Sequence, residues 1–195
     1  MCLPEITITL PLWVKSFLDA QPQIFPSQDE RMRLAIELSS LNLKYASGGP
    51  FGAAVFDEDG RLVALGMNLV VSSGCSLLHA ETVALAFAQK LLGRYDIGAG
   101  GTAQYELYAS TEPCAMCFGA IPWSGVSALI CGARGEDARA IGFDEGDKPV
   151  DWTASLEKRG IRVELDLLRP EAVAVLQNYA SSCGELYNSR KSSMQ

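Results

Sequence analysis

The chain has 195 residues, 48% of them hydrophobic and 20% charged, and 23 acidic against 16 basic side chains leave a net charge of −7. That is the composition of one globular domain rather than a disordered chain. No apolar run approaches the ~20 residues of a membrane span, and the acidic balance argues against a nucleic-acid binder, which needs Lys and Arg against phosphates. Residues 1–26 carry four prolines and a short apolar stretch, Leu12-Trp13 to Phe17-Leu18. They read as an N-terminal extension with one short helix begun at Pro11. The opening Met1–Glu5 has no basic stretch followed by an apolar one, so no secretory signal is expected. A cytoplasmic protein with free thiols is the expectation for most of the six cysteines.

Ser27 and Glu30 form a capping box, and behind it Met32, Ile36, Ser39 and Leu43 share one helical face until Gly48-Gly49-Pro50. Two strands follow, 52–57 and 61–69, joined by the turn Asp57-Glu58-Asp59-Gly60. Residues 79–92 form an Ala/Leu-rich helix that Gly93 ends. Residues 97–102 are a Gly-rich connector without phosphate-binding spacing. A strand over 105–110 leads to a short helix, 114–121, stopped by Pro122, and then to a strand over 126–132. The 28 residues before the last strand, 161–166, include a helix over 152–159. A connection that long fits a crossover between parallel strands, not a hairpin. A last helix starts at Pro170 and ends near Gly184. The order α-β-β-α-β-α-β-α-β-α predicts a three-layer α/β/α domain over 27–184, with a mixed five-stranded sheet whose last two strands are parallel and a polar tail, 185–195.

The chemistry concentrates around the only histidine, His79, in His79-Ala80-Glu81. Downstream lies Pro113-Cys114-Ala115-Met116-Cys117. One imidazole and two thiols make three Zn²⁺ ligands, His79, Cys114 and Cys117, and leave a coordination position for a water; a structural zinc would be closed by four protein ligands. Both motifs open predicted helices, whose positive N-termini favour thiolate over thiol. Zinc brings its water's pKa to about 7, and Glu81 beside it can take the proton and pass it on. A lone Cys-x-x-Cys also fits a redox pair or half of a structural zinc site, the latter needing a fourth ligand such as Cys75 or Cys131. The ordered pair H-x-E and P-C-x-x-C favours the catalytic reading.

These motifs resemble the cytidine deaminase superfamily from about residue 28 to 166. Pro50-Phe51-Gly52-Ala53-Ala54-Val55 looks like its first-strand motif. Asn68 stands where the family places a base-binding asparagine. Thr111-Glu112-Pro113-Cys114-Ala115-Met116-Cys117-Phe118-Gly119-Ala120-Ile121 is similar to the motif of the purine-acting branch, which holds guanine deaminases and tRNA adenosine deaminases. The resemblance implies zinc on His79, Cys114 and Cys117, proton transfer by Glu81, backbone contacts to substrate from Ala80, and a homodimer.

Ile141-Gly142-Phe143-Asp144-Glu145-Gly146-Asp147 resembles a stretch found in guanine deaminases. The chemistry agrees, because guanine presents N1–H and a 2-amino group as donors to a carboxylate, whereas the bare N1 of adenine would be repelled. Glu145, or else Asp144, is therefore the candidate for substrate recognition and a second proton shuttle. Phe143 and Phe51 either stack on a base or cap the core; Trp123 and Trp152 are read as packing. Tyr187 and Asn188 in the tail either close a partner subunit's site, as the C-terminal segment of such deaminases can, or belong to an unstructured end. The expected activity is conversion of guanine to xanthine and ammonia, with amino-oxo-triazines as further substrates of the same hydrogen-bonding edge. The alternatives are a tRNA adenosine deaminase, a pyrimidine or pterin deaminase, and a non-catalytic zinc module, in which Glu81 would have no use.

Overall fold

A computed structural model describes residues 6–182 and 184–188. Five strands, β1 (Gly52–Asp57), β2 (Leu62–Met67), β3 (Tyr105–Thr111), β4 (Ala128–Ala133) and β5 (Arg162–Glu164), form one sheet in the order β2-β1-β3-β4-β5. β1 runs antiparallel to β2 and β3, while β3, β4 and β5 are mutually parallel. The crossover expected between the last two strands is present.

Strand alternation divides the core. Ala53 and Val55 of β1, Leu107 and Ala109 of β3, and Leu129 and Cys131 of β4 point to one face; Ala54, Phe56, Tyr108 and Ile130 point to the other. Helices α2 (Gln28–Lys44) and α8 (Arg169–Ser181) cover the second face, and α4 (Ala80–Leu92) and α5 (Ala115–Ser124) cover the first. Central strands buried on both sides suit the apolar run Ala128–Ala133, buried throughout. Both reciprocal bonds of the Ser27–Glu30 capping box form at the start of α2. Met32, Ile36 and Ser39 are buried as their shared face required.

The segment before α2 packs against the domain. It contains α1 (Trp13–Asp19), the buried Val14 and Phe25, and a bond from the Phe25 amide to the Gly60 carbonyl at 2.8 Å. No helix among the described residues is long and apolar enough to cross a membrane.

Three local expectations are corrected. Pro122 does not stop α5, which continues to Ser124 and ends at Gly125 in the left-handed conformation. Pro122 removes one bond to the Phe118 carbonyl, but both residues are only half-buried, while Ile121 and Ser124 anchor the last turn from the buried side. The helix expected over 152–159 is the shorter α7 (Trp152–Glu157). Two short helices, α3 (Val70–Ser73) and α6 (Gly135–Ala140), form where no periodicity announces them. At four and six residues they are too short to show a repeat, and α6 is fixed by an Asp137 carboxylate accepting from the Arg134 amide at 2.7 Å.

Candidate active site

His79 is the N-cap of α4 and Cys114 the N-cap of α5, with Cys117 three residues into it. The α4 start is drawn tightly onto the sheet at Gly66 of β2, where a Cβ would collide with the Ala80 carbonyl. α5 starts directly beyond the carboxyl end of β3. The ligand atoms of His79, Cys114 and Cys117 consequently all lie within 4.8 Å of one another, and His79 Nδ1 is 3.4 Å from Cys114 Sγ. Tetrahedral zinc with bonds of ~2.0–2.3 Å spaces its ligand atoms by roughly 3.5–3.8 Å, so this donor set fits the ion. The electrostatics agree. Cys114 is held well below the ordinary thiol range, chiefly because the Cys117 thiol donates to it and also because of its contact with His79; the same bond and burial push Cys117 up. Within the pair, the thiolate form is favoured on Cys114.

Around this cluster is a cavity of about 160 Å³. Its wall includes His79, Glu81, Cys114, Asn68, Phe143, Asp144 and Glu145, so residues from four separate stretches of sequence converge. Glu81 is buried in the first turn of α4, and burial, then the Cys114 charge, raise its pKa to about 7. Glu145, on the loop after α6, is buried likewise and raised to about 8 by burial, then by the charges of Cys114 and Glu81, with Lys148 and Arg139 pulling the other way. Asp144 lines the same cavity; one oxygen of its carboxylate accepts from the Gly146 amide at 2.9 Å, and its amide donates to Asn188 Oδ1 at 3.0 Å.

Asn68 is almost fully buried. Its Oδ1 accepts from the Val70 amide at 3.2 Å, and its Nδ2 has no partner. Leaving a buried donor unpaired costs about 1–3 kcal/mol, which an acceptor in the cavity would recover. Asn42 of α2 fixes its backbone, donating from Nδ2 to the carbonyls of Asn68 (2.9 Å) and Gly49 (2.8 Å). Phe143 is both wall and core: it meets Phe51 edge-on at 4.9 Å and stacks with Tyr179 at 5.8 Å. Ala80 lies outside the wall, with its side chain in the core and its carbonyl against Gly66, which leaves only its amide to offer. Trp123 is exposed, whereas Trp152 packs on Phe118.

Tyr187 and Asn188 return to the cavity of their own chain. Tyr187 packs on Phe143 at 5.2 Å with a buried, unpartnered hydroxyl, and Asn188 donates to the Gly142 carbonyl at 2.9 Å. Residues 189–195 lie outside the described residues. Sequence reasoning passed over Val70 and Ser76, which also line the cavity, and the buried pair Glu112–Lys148. Glu112 stands inside the quoted Thr111-Glu112-Pro113 motif, but nothing in the spacing announces its partner.

Metal removal has a pH signature. Glu81 and Glu145 are raised from an ordinary 4.5, so in metal-free protein they favour the folded state fully below that value and lose this contribution as pH rises through about 7 and 8. Cys114, depressed, acts in the opposite sense as a single group. A bound dication offsets the buried negative charge, and thiolate ligands bind it more tightly as pH rises. A chelator is therefore expected to lower the Tm, and by more at pH 8 than at pH 6. Equal losses in scanning calorimetry at the two pH values would contradict the assignment.

Residues 26–133 match the family described as the cytidine and deoxycytidylate deaminase zinc-binding region. A guanine deaminase of Bacillus subtilis is 36% identical over 126 residues, 62% of this chain and 77% of that protein. A tRNA-specific adenosine deaminase of Buchnera aphidicola is 30% identical over 131 residues, 67% of this chain and 79% of that one. Among solved structures, a guanine deaminase from Nitrosomonas europaea superposes with a TM-score of 0.85 at 44% identity, over 91% of this chain and 97% of its own. A protein called NE0047, in complex with 2,6-diaminopurine, does so with a TM-score of 0.86 at 46% identity, over 95% and 97%.

Proposed function

This chain belongs to the cytidine and deoxycytidylate deaminase zinc-binding family, and from that membership we propose that it hydrolyses guanine to xanthine and ammonia. The observation that carries the reading is the buried Glu145 carboxylate in the same cavity as Glu81 and the His79–Cys114–Cys117 cluster. A cavity of about 160 Å³ is small beside the ~300–1,000 Å³ of drug-sized ligand sites, which suits one base better than a polynucleotide end.

Zn²⁺ bound by His79, Cys114 and Cys117 supplies a Lewis acid that lowers the pKa of a water to about 7. Glu81 takes a proton from the attacking water and gives it to N3 of guanine as the oxygen bonds to C2. It then carries the second proton to the 2-amino group, so that the C2–N bond breaks and ammonia leaves. Glu145 accepts from N1–H and the 2-amino group, holding C2 toward the reacting water. Asn68 Nδ2 donates to an acceptor on the ring, Phe143 supplies an apolar wall, and the Ala80 amide is the remaining backbone donor. Asp144 shapes the turn that presents Glu145.

Ammonia release from guanine, adenine, cytosine, cytidine and an amino-oxo-triazine tests the reading. Turnover is expected with guanine, and with the triazine because it shares the edge that Glu145 reads. Activity confined to adenine or cytidine would overturn the assignment.

The same reading places one zinc with its water in each chain of a cytoplasmic homodimer. The free Cys75 and Cys131 support a reducing compartment, and the exposed Tyr95 and Trp123, which line one surface hollow, offer apolar surface for a second copy.

A further inference from the structure

Lys148 is buried, with 6% of its side chain exposed, and takes no part in the chemistry above. A buried ammonium must have its charge and its three donors satisfied. Lys148 Nζ donates to the Pro113 carbonyl at 2.7 Å, lies 3.6 Å from Glu112 Oε2, and sits 4.6 Å over the Trp152 ring. Glu112 is itself buried and held by the Gly135 amide at 3.1 Å and by Arg134 at 3.4 Å.

The consequence lies in the chain connectivity. Lys148 follows Glu145 by three residues, and Pro113 precedes the ligand Cys114 by one. A second tie runs alongside the first, from the Ala115 amide to the Glu145 carbonyl at 2.8 Å. Between the ties, Gly146 adopts a left-handed conformation (φ 63°), and a Cβ there would stand 3.0 Å from Ala115 Cβ. The loop carrying the recognition carboxylate is thus clasped to the start of the helix carrying the thiolates.

We propose that Lys148 is a positioning residue for guanine recognition, clasping the Glu145 loop to the Pro113–Ala115 turn so that Glu145 and the metal cluster keep a fixed separation. The inference rests on the guanine reading. Its physical content is that a carboxylate on a loop of an otherwise irregular segment reads two donors only if held in one place. Either tie alone permits the loop to pivot about it, whereas two ties three residues apart fix its direction. The buried Glu112 keeps the ammonium aimed at the Pro113 carbonyl, and Lys148 is also the first of the cations that counter the burial of Glu145.

The test is a double-mutant cycle on the zinc-loaded protein. Lys148→Met is expected to raise the KM for guanine by roughly 10- to 30-fold while changing kcat far less and leaving zinc content at the wild-type level. The same substitution in a Glu145→Gln background should add little, because the group being positioned no longer reads the base. Binding of guanine to Glu81→Gln protein, followed without turnover, should weaken by the same factor on adding Lys148→Met. Lys148→Gln, which keeps a donor for the Pro113 carbonyl, should recover part of the loss, and it carries the cycle if the Met variant does not fold. Additive effects of the two substitutions, or loss of zinc and kcat with KM unchanged, would overturn the proposal. Guanine turnover by wild type separates this outcome from failure of the functional reading: a protein that deaminates guanine but ignores Lys148→Met refutes only the clasp.

Discussion

Glu81→Gln is expected to lower kcat for guanine by ~10²–10⁴-fold, the range that a positioned acid–base group contributes, while the protein keeps its zinc. The carboxylate is placed by the first turn of α4, two residues after His79, and lines the same cavity as His79 and Cys114. Gln preserves shape and hydrogen-bonding capacity but cannot shuttle a proton, so folding and metal binding are spared. Because Glu81 and Glu145 carry raised pKa values, the substitution also removes a buried acid, and the variant should lose less stability than wild type as pH rises from 6 to 8 in metal-free protein. Rapid-quench measurement of xanthine, with zinc counted in the same sample, decides the matter. Retained kcat would exclude Glu81 as the proton carrier, and loss of zinc would reassign it to holding the metal site.

The second large effect is at Glu145. Glu145→Gln is expected to reduce kcat/KM for guanine by ~10²–10³-fold, comparable to removal of one preorganised polar contact from an active site. The penalty is more than a lost charge. A carboxylate presents two acceptors to N1–H and the 2-amino group, whereas the Gln amide turns a donor against one of them. The pH profile supplies an independent readout. The carboxylate is the active form of both Glu81 and Glu145, so wild-type kcat/KM should fall as pH drops through their titrations, the bound dication moving both below their metal-free values of about 7 and 8. In Glu145→Gln one of the two titrations is gone and the acid limb becomes shallower. An unchanged limb together with unchanged kcat/KM would remove Glu145 from recognition.

Sequence and structure contributed differently to these two residues. Glu81 was legible because it lies two residues from His79 on the same helix start, and a helix turn fixes such neighbours relative to each other whatever the rest of the chain does. The same holds for Cys114 and Cys117, three residues apart at the start of α5. For Glu145 the sequence offered two adjacent acids. The two differ in the tertiary structure: both line the cavity, but the Asp144 carboxylate closes the turn on the Gly146 amide, whereas Glu145 is buried. Asn68 was legible through the family resemblance, but its unpartnered Nδ2 and the hold of Asn42, 26 residues earlier, on its carbonyl are tertiary features.

The fold followed the same division. Strand alternation, the Ser27–Glu30 capping box and the long crossover before β5 are periodic or local, and they determined the layers, the five strands and the parallel end of the sheet. The extra turn of α5 beyond Pro122 was set by burial of Ile121 and Ser124, which overrides a local helix-breaking preference. The sequence by itself thus determined that a metal-binding deaminase core is present, because each half of that centre is carried within a single turn of helix. What only the tertiary structure decided is how the halves meet and what surrounds them: the return of Tyr187 and Asn188 to their own chain's cavity, and the burial of Lys148 against Glu112 and Pro113. Those contacts join residues far apart in the chain, and they are selected by packing and by the cost of burying unpaired charge, neither of which leaves a fixed spacing to be read.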